Sequence, residues 1–219
     1  MNAPELSSAT PWMPSTVDEV VDLLADASVR WWLSGGVALD HWLGKGVRPR
    51  PNIDVSVTPG DLAALVAALP AGVTAWVPAD EEREVVPFAE APADADPQRV
   101  LLCDESRGSW ILQVNVEDGS SSAWVYKRDP RLTLPWDRAV IDVDGVPTGA
   151  PEVQLVWKAL RPRPEDDIDK DAVIAVLDDD ARAWYERAIL SIHPHSSWSI
   201  HVRSPFEPAK ASWNRRPQA

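Results

Sequence analysis

Cysteine is almost missing from this sequence: Cys103 stands alone among 219 residues. No disulfide can close within the chain, and no cysteine-based zinc site can form. With no activating partner identifiable, Cys103 is expected to be a core thiol. A chain without disulfides suits a reducing, cytoplasmic setting. Long apolar runs are missing as well. None approaches the ~18 residues that a membrane span needs, so no membrane role is expected. The opening stretch, Met1 to Ser15, has neither a basic start nor an apolar run and does not read as a secretory signal. Basic residues are outnumbered, 21 against 34 acidic ones, for a net charge of −13. A field of that sign repels phosphodiester backbones, so nucleic acid is not an expected partner. The acid excess could suit a cationic small molecule, although solubility explains it equally simply.

What is present is a globular composition, 45% hydrophobic and 25% charged, with twelve tryptophans. Trp31, Trp32, Trp42, Trp110, Trp124, Trp157 and Trp184 sit inside periodic segments and are expected in the core, with one or two lining a pocket. Residues 1–14 read as a disordered N-terminus. Thr16 and Glu19 form a capping box ahead of Val17, Val20, Val21 and Leu24 at helical spacing. Val29 to Leu33 is a strand, Gly35-Gly36 a tight turn, Val37 to Leu43 a short helix, and Ile53 to Val57 a second strand. Thr58-Pro59 opens another helix. Thr74 to Val77, Val100 to Cys103, Trp110 to Val116, Trp124 to Tyr126 and Val140 to Val143 are further strands. Residues 78–98 are acidic and proline-rich and read as a surface loop. Asp144-Gly145 is a hairpin turn. From Pro151 the texture turns helical: Val153 to Leu160, Ile168 to Leu177 and Ala181 to Leu190. The expected organisation is an α/β (α+β) domain over 15–148, a small helical domain over 149–200, and a flexible tail over 201–219.

The chemistry concentrates between Leu33 and Val57, "LSGGVALDHWLGKGVRPRPNIDVSV". Gly35-Gly36, Ala38, Asp40, Gly44, Arg48 and then Asn52-Ile53-Asp54-Val55 follow one another in an order that resembles the minimal nucleotidyltransferase fold. More closely, the run resembles the bacterial branch that includes aminoglycoside and lincosamide nucleotidyltransferases. "WVYKRDP" (Trp124 to Pro130), "PEVQLVWKA" (Pro151 to Ala159) and "RPRPEDDID" (Arg161 to Asp169) extend the likeness, which covers most of Val17 to Trp198.

The resemblance implies a mixed sheet with flanking helices, followed by a helical domain, with a cleft between. It also implies transfer of a nucleoside monophosphate to a drug hydroxyl, with two magnesium ions ~3.5–4 Å apart clamping the attacking and leaving oxygens. Three carboxylates hold those ions in the family: a pair spaced by one residue on one strand, and a third on a neighbour. In this chain the pair falls on Asn52 and Asp54, and the third, counted back from Trp124, falls on Gln113. Gly35, Gly36, Arg48, Arg50 and Lys158 are the implied substrate- or nucleotide-binding positions. Arg50 stands where a histidine is frequent. Asp40 with Arg48 is expected to brace the loop as an ion pair. Arg161 and Arg163 could bind an anion. His41, His193, His195 and His201 show no metal-ligand pattern.

Spacing by one residue puts Asn52 and Asp54 on one face of a strand. Magnesium favours charged oxygen ligands, and an amide supplies none. Glutamine cannot accept the acceptor's proton either. Glu117 and Asp118 could replace the missing third carboxylate only through a bulge or a shifted register; both read instead as exposed acids at a strand end. The expectation is therefore a nucleotidyltransferase-fold protein repurposed to bind a small molecule, with or without transforming it, without cofactor and in a biosynthetic tailoring role. Asp54 would be its acid or base and its sole metal ligand if there is any, and Asn52 and Gln113 its hydrogen-bonding groups. Two alternatives stand beside it. One is an active, magnesium- and nucleoside-triphosphate-dependent enzyme modifying a hydroxylated, aminoglycoside-like antibiotic. The other is a non-catalytic binding module. The Ala-, Pro-, Asp- and Arg-rich composition suggests a bacterial source. The sequence leaves the oligomeric state open.

Overall fold

The computed structural model describes residues 6–7, 9–79, 84–92 and 95–203. Ten strands and eight α-helices follow in the order α1 (Val17–Leu23), β1 (Trp31–Ser34), α2 (Gly35–Leu43), β2 (Asp54–Val57), α3 (Pro59–Ala67), β3 (Val73–Pro78), β4 (Val85–Pro87), β5 (Arg99–Asp104), β6 (Ser109–Val116), β7 (Ala123–Val125), β8 (Thr133–Pro135), α4 (Trp136–Ala139), β9 (Val140–Val143), β10 (Val146–Gly149), α5 (Pro151–Ala159), α6 (Pro164–Ile174), α7 (Asp179–Ile192) and α8 (Ser197–Arg203). Eight strands make one mixed sheet in the order β4-β3-β5-β6-β2-β1-β10-β9, and β7 pairs with β8 apart from it. Strand β2 runs antiparallel to β1 and parallel to β6. The mixed α+β architecture expected from the sequence is present.

Alternation along the central strands separates a core from a site. Val55 and Val57 of β2, with Leu112, Val114 and Val116 of β6, face α1 and α3 in a dry core that also holds Leu33, Leu62 and Leu65. Each such residue, fully buried, contributes roughly 1.5–3 kcal/mol. The intervening residues, Asp54 and Ser56 on β2 and Gln113, Asn115 and Glu117 at the end of β6, point to the opposite face. That face meets a second core built by α2, α5, α7 and α8 around Trp32, Leu39, Trp124, Tyr126, Leu155, Val156 and Trp198.

Local signals explain the element ends. Thr16 and Glu19 exchange both capping hydrogen bonds. Helix α2 starts at Gly35 itself, two residues earlier than the sequence suggests, and ends on left-handed Gly44. Asp144 (φ 50°) and Gly145 (φ 84°) supply the two positive φ values of a tight hairpin. Several elements differ from expectation. The acidic loop over 78–98 contains β4, which pairs with β3 through Val86 opposite Val77, and a 3-10 turn over Phe88–Glu90. Strand β8, helix α4 and helix α8 are additional, and α8 runs to Arg203, past the expected tail boundary at 201. In the N-terminal segment, Trp12 bridges to Trp110, and the Met13 and Ser15 amides donate to the Trp110 and Ile111 carbonyls at 2.9 Å. The remainder of the expected tail, 204–219, lies outside the described residues.

Candidate active site

Between the ends of β1 and β6 and the C-terminal half of α5 lies a cleft of about 770 Å³, which Asn52 and Asp54 adjoin without lining. Its walls include Ser34, Gly35, Gln113, Asn115, Glu117, Gln154, Trp157 and Lys158. The sheet register brings the expected residues together. Asp54 pairs with Ser34 on one side and with Gln113 on the other. Counting back from Trp124 thus located Gln113 at the position adjoining Asp54.

The frame is closed by amides rather than by acids. Asn52 Nδ2 donates to Asp54 Oδ1 at 2.8 Å, and Gln113 Nε2 donates to Asn115 Oδ1 at 2.8 Å. In both, the amide carbonyl oxygen is left for a further donor or a cation. Burial pushes the Asp54 carboxyl up to about 6; Lys158, the Asn52 hydrogen bond, Arg99 and Arg163 act against that rise. Gly35 has to be glycine here. Its φ is +64°, and a Cβ would stand 2.4 Å from Asp54 Oδ2. A Cβ on Gly36 would stand 2.6 Å from the Arg50 guanidinium.

Arg48, Arg50 and Lys158 belong to an ionic clamp. Arg48 donates twice to Asp169, at 3.0 and 2.8 Å. Arg50 forks onto Asp40, at 2.6 Å to each oxygen, and its Nη1 also reaches Asp169. Lys158 Nζ lies 2.7 Å from Asp166 and 3.1 Å from Asp169. Asp40 therefore braces the loop through Arg50, not through Arg48 as the sequence suggested. The fork geometry of two arginines on one carboxylate decides this. Burial opposes ionisation of Asp166 and Asp169, but the donated hydrogen bonds and positive charges outweigh it and hold both carboxyls below the ordinary range. Arg48 and Arg50 do not line the cleft, whereas Lys158 and Gly35 do.

Glu117 corrects a second expectation. It is buried, not an exposed strand-end acid. Oε1 accepts from Ser56 at 2.6 Å, and Oε2 accepts from both the Trp124 and Trp157 indoles, at 2.6 and 2.9 Å. Burial raises its pKa against those three hydrogen bonds. Its oxygens are committed to the junction of sheet and helices and are not free to stand in as a third metal ligand. His193 is likewise structural, with Nε2 3.0 Å from the Tyr126 hydroxyl, and Cys103 is a buried thiol.

The sequence missed Gln154. Its Oε1 accepts from the Gly35 amide at 2.7 Å, and its buried Nε2 has no partner among the described residues. The available signal was a polar residue amid the buried positions of α5, inside a motif already singled out. It also missed Arg99, Lys127 and Arg128, which join Lys158, Arg161 and Arg163 around the cleft. Six basic side chains thus gather in one place on an acidic protein.

Residues 16–95 match the model of the aminoglycoside-2''-adenylyltransferase family. Among solved structures, the lincomycin-bound lincosamide antibiotic adenylyltransferase LnuA is 18% identical, covering 74% of this chain and 99% of its own, with a TM-score of 0.51. ANT(2")-Ia in complex with adenylyl-2"-tobramycin is 12% identical, covering 78% and 94%, with a TM-score of 0.49. No curated protein matches the chain. The fold is that of the nucleotidyltransferases, and the chain resembles their aminoglycoside- and lincosamide-modifying branch, as the sequence motifs indicated. The expectation that no cofactor is involved is overturned by these matches. The proteins they name are adenylyltransferases, enzymes that take an adenylyl group from a nucleotide, for which the resemblance implies Mg2+.

The residues present fit part of that requirement. A polyphosphate fits: cations line the cleft, and Arg99, Arg128 and Arg161 among them have no carboxylate partner among the described residues. A pair of protein-held magnesium ions does not fit. Among the described residues no three acidic, histidine or cysteine side chains are placed to hold a metal. One Mg2+ fits, because that ion is ordinarily held by one or two carboxylates together with substrate phosphates. Asp54 would be the carboxylate, and the Asn52 and Gln113 carbonyls would be neutral supplements.

Proposed function

We propose that this chain binds a magnesium–nucleoside triphosphate in the cationic cleft and transfers its nucleotidyl group to a hydroxylated small molecule, with a single protein carboxylate at the metal. The observation that carries the reading is the convergence of Arg99, Lys127, Arg128 and Arg161 on a cleft beside Asp54, with Lys158 and Arg163 at its wall tied to Asp166. Mg2+ supplies charge neutralisation at the phosphates when bound. The residues of the chain do the rest. Gly35 keeps the backbone low over Asp54, Gln154 Oε1 holds the first amide of α2, and the cations hold the phosphates. The acceptor oxygen bonds to the α-phosphorus and the bridging P–O bond breaks. Pyrophosphate leaves with the electron pair, and the hydroxyl proton passes to water, since Gln113 cannot take it.

A second reading is favoured by Asn52 and Gln113 themselves. A site with two neutral amides could hold a nucleotide without turning it over. Tryptophan fluorescence under ATP titration, with and without Mg2+, tests the shared premise. If millimolar ATP moves neither the fluorescence nor the melting temperature, both readings fall. Pyrophosphate release across a panel of hydroxylated acceptors separates them. Asn52→Asp with Gln113→Asp should raise Mg2+ affinity and, under the first reading, pyrophosphate release by about 10²-fold or more.

A further inference from the structure

We infer that the second substrate is an acid: a hydroxylated small molecule bearing a carboxylate or phosphate, not a polyamine. The inference rests on the nucleotide reading above and names the class of acceptor that this cleft selects.

The matched family is named for aminoglycosides, which carry several ammonium groups. A pocket for such a molecule needs carboxylates free to receive them. Among the described residues two carboxylates, Glu117 and Asp166, line the cleft, and both are already taken. Glu117 is held by Ser56, Trp124 and Trp157. Asp166 is held by Lys158 and Arg163. Asp54 adjoins the cleft but is the metal position.

The cations exceed what a triphosphate needs, and they fall into two groups. Lys158 and Arg163 are tied to Asp166, at 2.7 and 3.0 Å, and Arg99 stands opposite Asn115 across β5 and β6; these three are the group on the Asp54 side. Arg128 follows β7, outside the eight-stranded sheet. Lys127 precedes it, with only the exposed carboxylates of Asp96 and Asp118 near, at 3.7 and 3.9 Å. Among the described residues no carboxylate pairs with Arg128 or Arg161. Two arginines and a weakly paired lysine therefore remain beyond the group around Asp54. An ammonium brought among them would meet like charge at close range with no partner, whereas a carboxylate would complete them. The net charge of −13 points the other way for the exterior, so the preference is local to the cleft.

The test reads the sign of the cleft directly. Gln98→Cys places a thiol on the exposed rim of the cleft, and Leu160→Cys places one on the opposite wall should the first fail to fold. Ala71→Cys, on an exposed turn, is the reference, and the buried Cys103 of the parent chain is the blank. Each is reacted with negatively and positively charged methanethiosulfonates of similar size, free and in saturating ATP. The expected result is an anion-over-cation rate ratio in the cleft exceeding the reference by more than about threefold, free and with ATP, and lost in Lys127→Glu/Arg128→Glu. A ratio at or below that level in the free protein overturns the inference. So does a preference that ATP abolishes, because the cations would then serve the nucleotide alone. Failure of ATP to bind is a separate result: it sinks the nucleotide reading, while the free-protein ratio still reports the charge of the cleft.

Discussion

The ionic clamp and the cleft are built from the same residue types a few residues apart, and they use charge in opposite ways. In the clamp, Arg48, Arg50 and Lys158 face Asp40, Asp166 and Asp169, and every charge has an opposite within hydrogen-bonding distance. In the cleft, Arg99, Arg128 and Arg161 have no carboxylate partner among the described residues, and beside it two of the three positions to which the resemblance assigns acids are amides. Charge consumed inside the protein fixes the loop over 44–53 against α6. Charge left unanswered is available to a ligand. Residue identity does not distinguish the two; the presence of a partner does.

Breaking the clamp should have the largest effect. Asp169 is fully buried and receives Arg48, Arg50 and Lys158. Asp169→Ala leaves three cations without their shared anion, and we expect a loss of about 3–5 kcal/mol in urea unfolding. If the loss is under 1 kcal/mol on the order of a surface pair, the clamp is solvated and the contrast with the cleft disappears. Glu117 comes next. Glu117→Ala strands two indole N–H groups and a hydroxyl in the interior, at about 2–4 kcal/mol. Glu117→Gln keeps an oxygen for the indoles and turns an amide toward Ser56, so it should cost about 1 kcal/mol or less. Equal costs for the two variants would show that charge, not acceptor capacity, is what the junction uses.

Asp54 sharpens the comparison through pH. Its pKa is about 6 in the fold against 3.8 unperturbed. Between those values the native state holds a proton that the unfolded chain releases, so stability falls as pH rises through that window. Asp54→Asn removes the penalty. We expect it to stabilise the protein by about 1–3 kcal/mol at pH 8 and by almost nothing at pH 3.5, while magnesium-dependent ATP binding is lost. Clamp carboxylates, with lowered pKa values, behave oppositely: their contribution is complete above the unperturbed pKa and fades as acid is added. A stabilisation that does not vary with pH would sever Asp54 from this account.

Much of this was legible in the sequence, and the parts that were not share a cause. Period-two alternation set Asp54 against Val55 and Gln113 against Val114, and the family resemblance, counted back from Trp124, put Gln113 beside Asp54. The glycine pair, the capping box of α1 and the proline start of α5 depend on neighbours in sequence and were also readable. The partners of Arg48 and Arg50 were not. Asp169 lies 121 and 119 residues further on, and nothing local chooses it over Asp40. Glu117 misled for the same reason: an acid at a strand end looks exposed until two tryptophans from β7 and α5 close over it. Strand β4 was hidden by its acidic, proline-rich surroundings, because an edge strand needs little apolar sequence to pair.

Arg161 tests the smallest effect and the most telling one. It is exposed, follows α5 directly, lines the cleft and has no carboxylate partner among the described residues. Removing an unpaired surface cation should change stability by no more than about 0.5 kcal/mol. If the cleft holds charge in reserve, Arg161→Ala should nevertheless weaken ATP or an acidic acceptor by about fivefold at low salt, and less at high salt. The Asp169→Ala variant should show the reverse: a large loss of stability with little change in the salt dependence of whatever binding survives. An Arg161→Ala protein that is destabilised but binds as before would place this arginine in a clamp of its own, and the division between consumed and available charge would have to be redrawn one residue further along the chain.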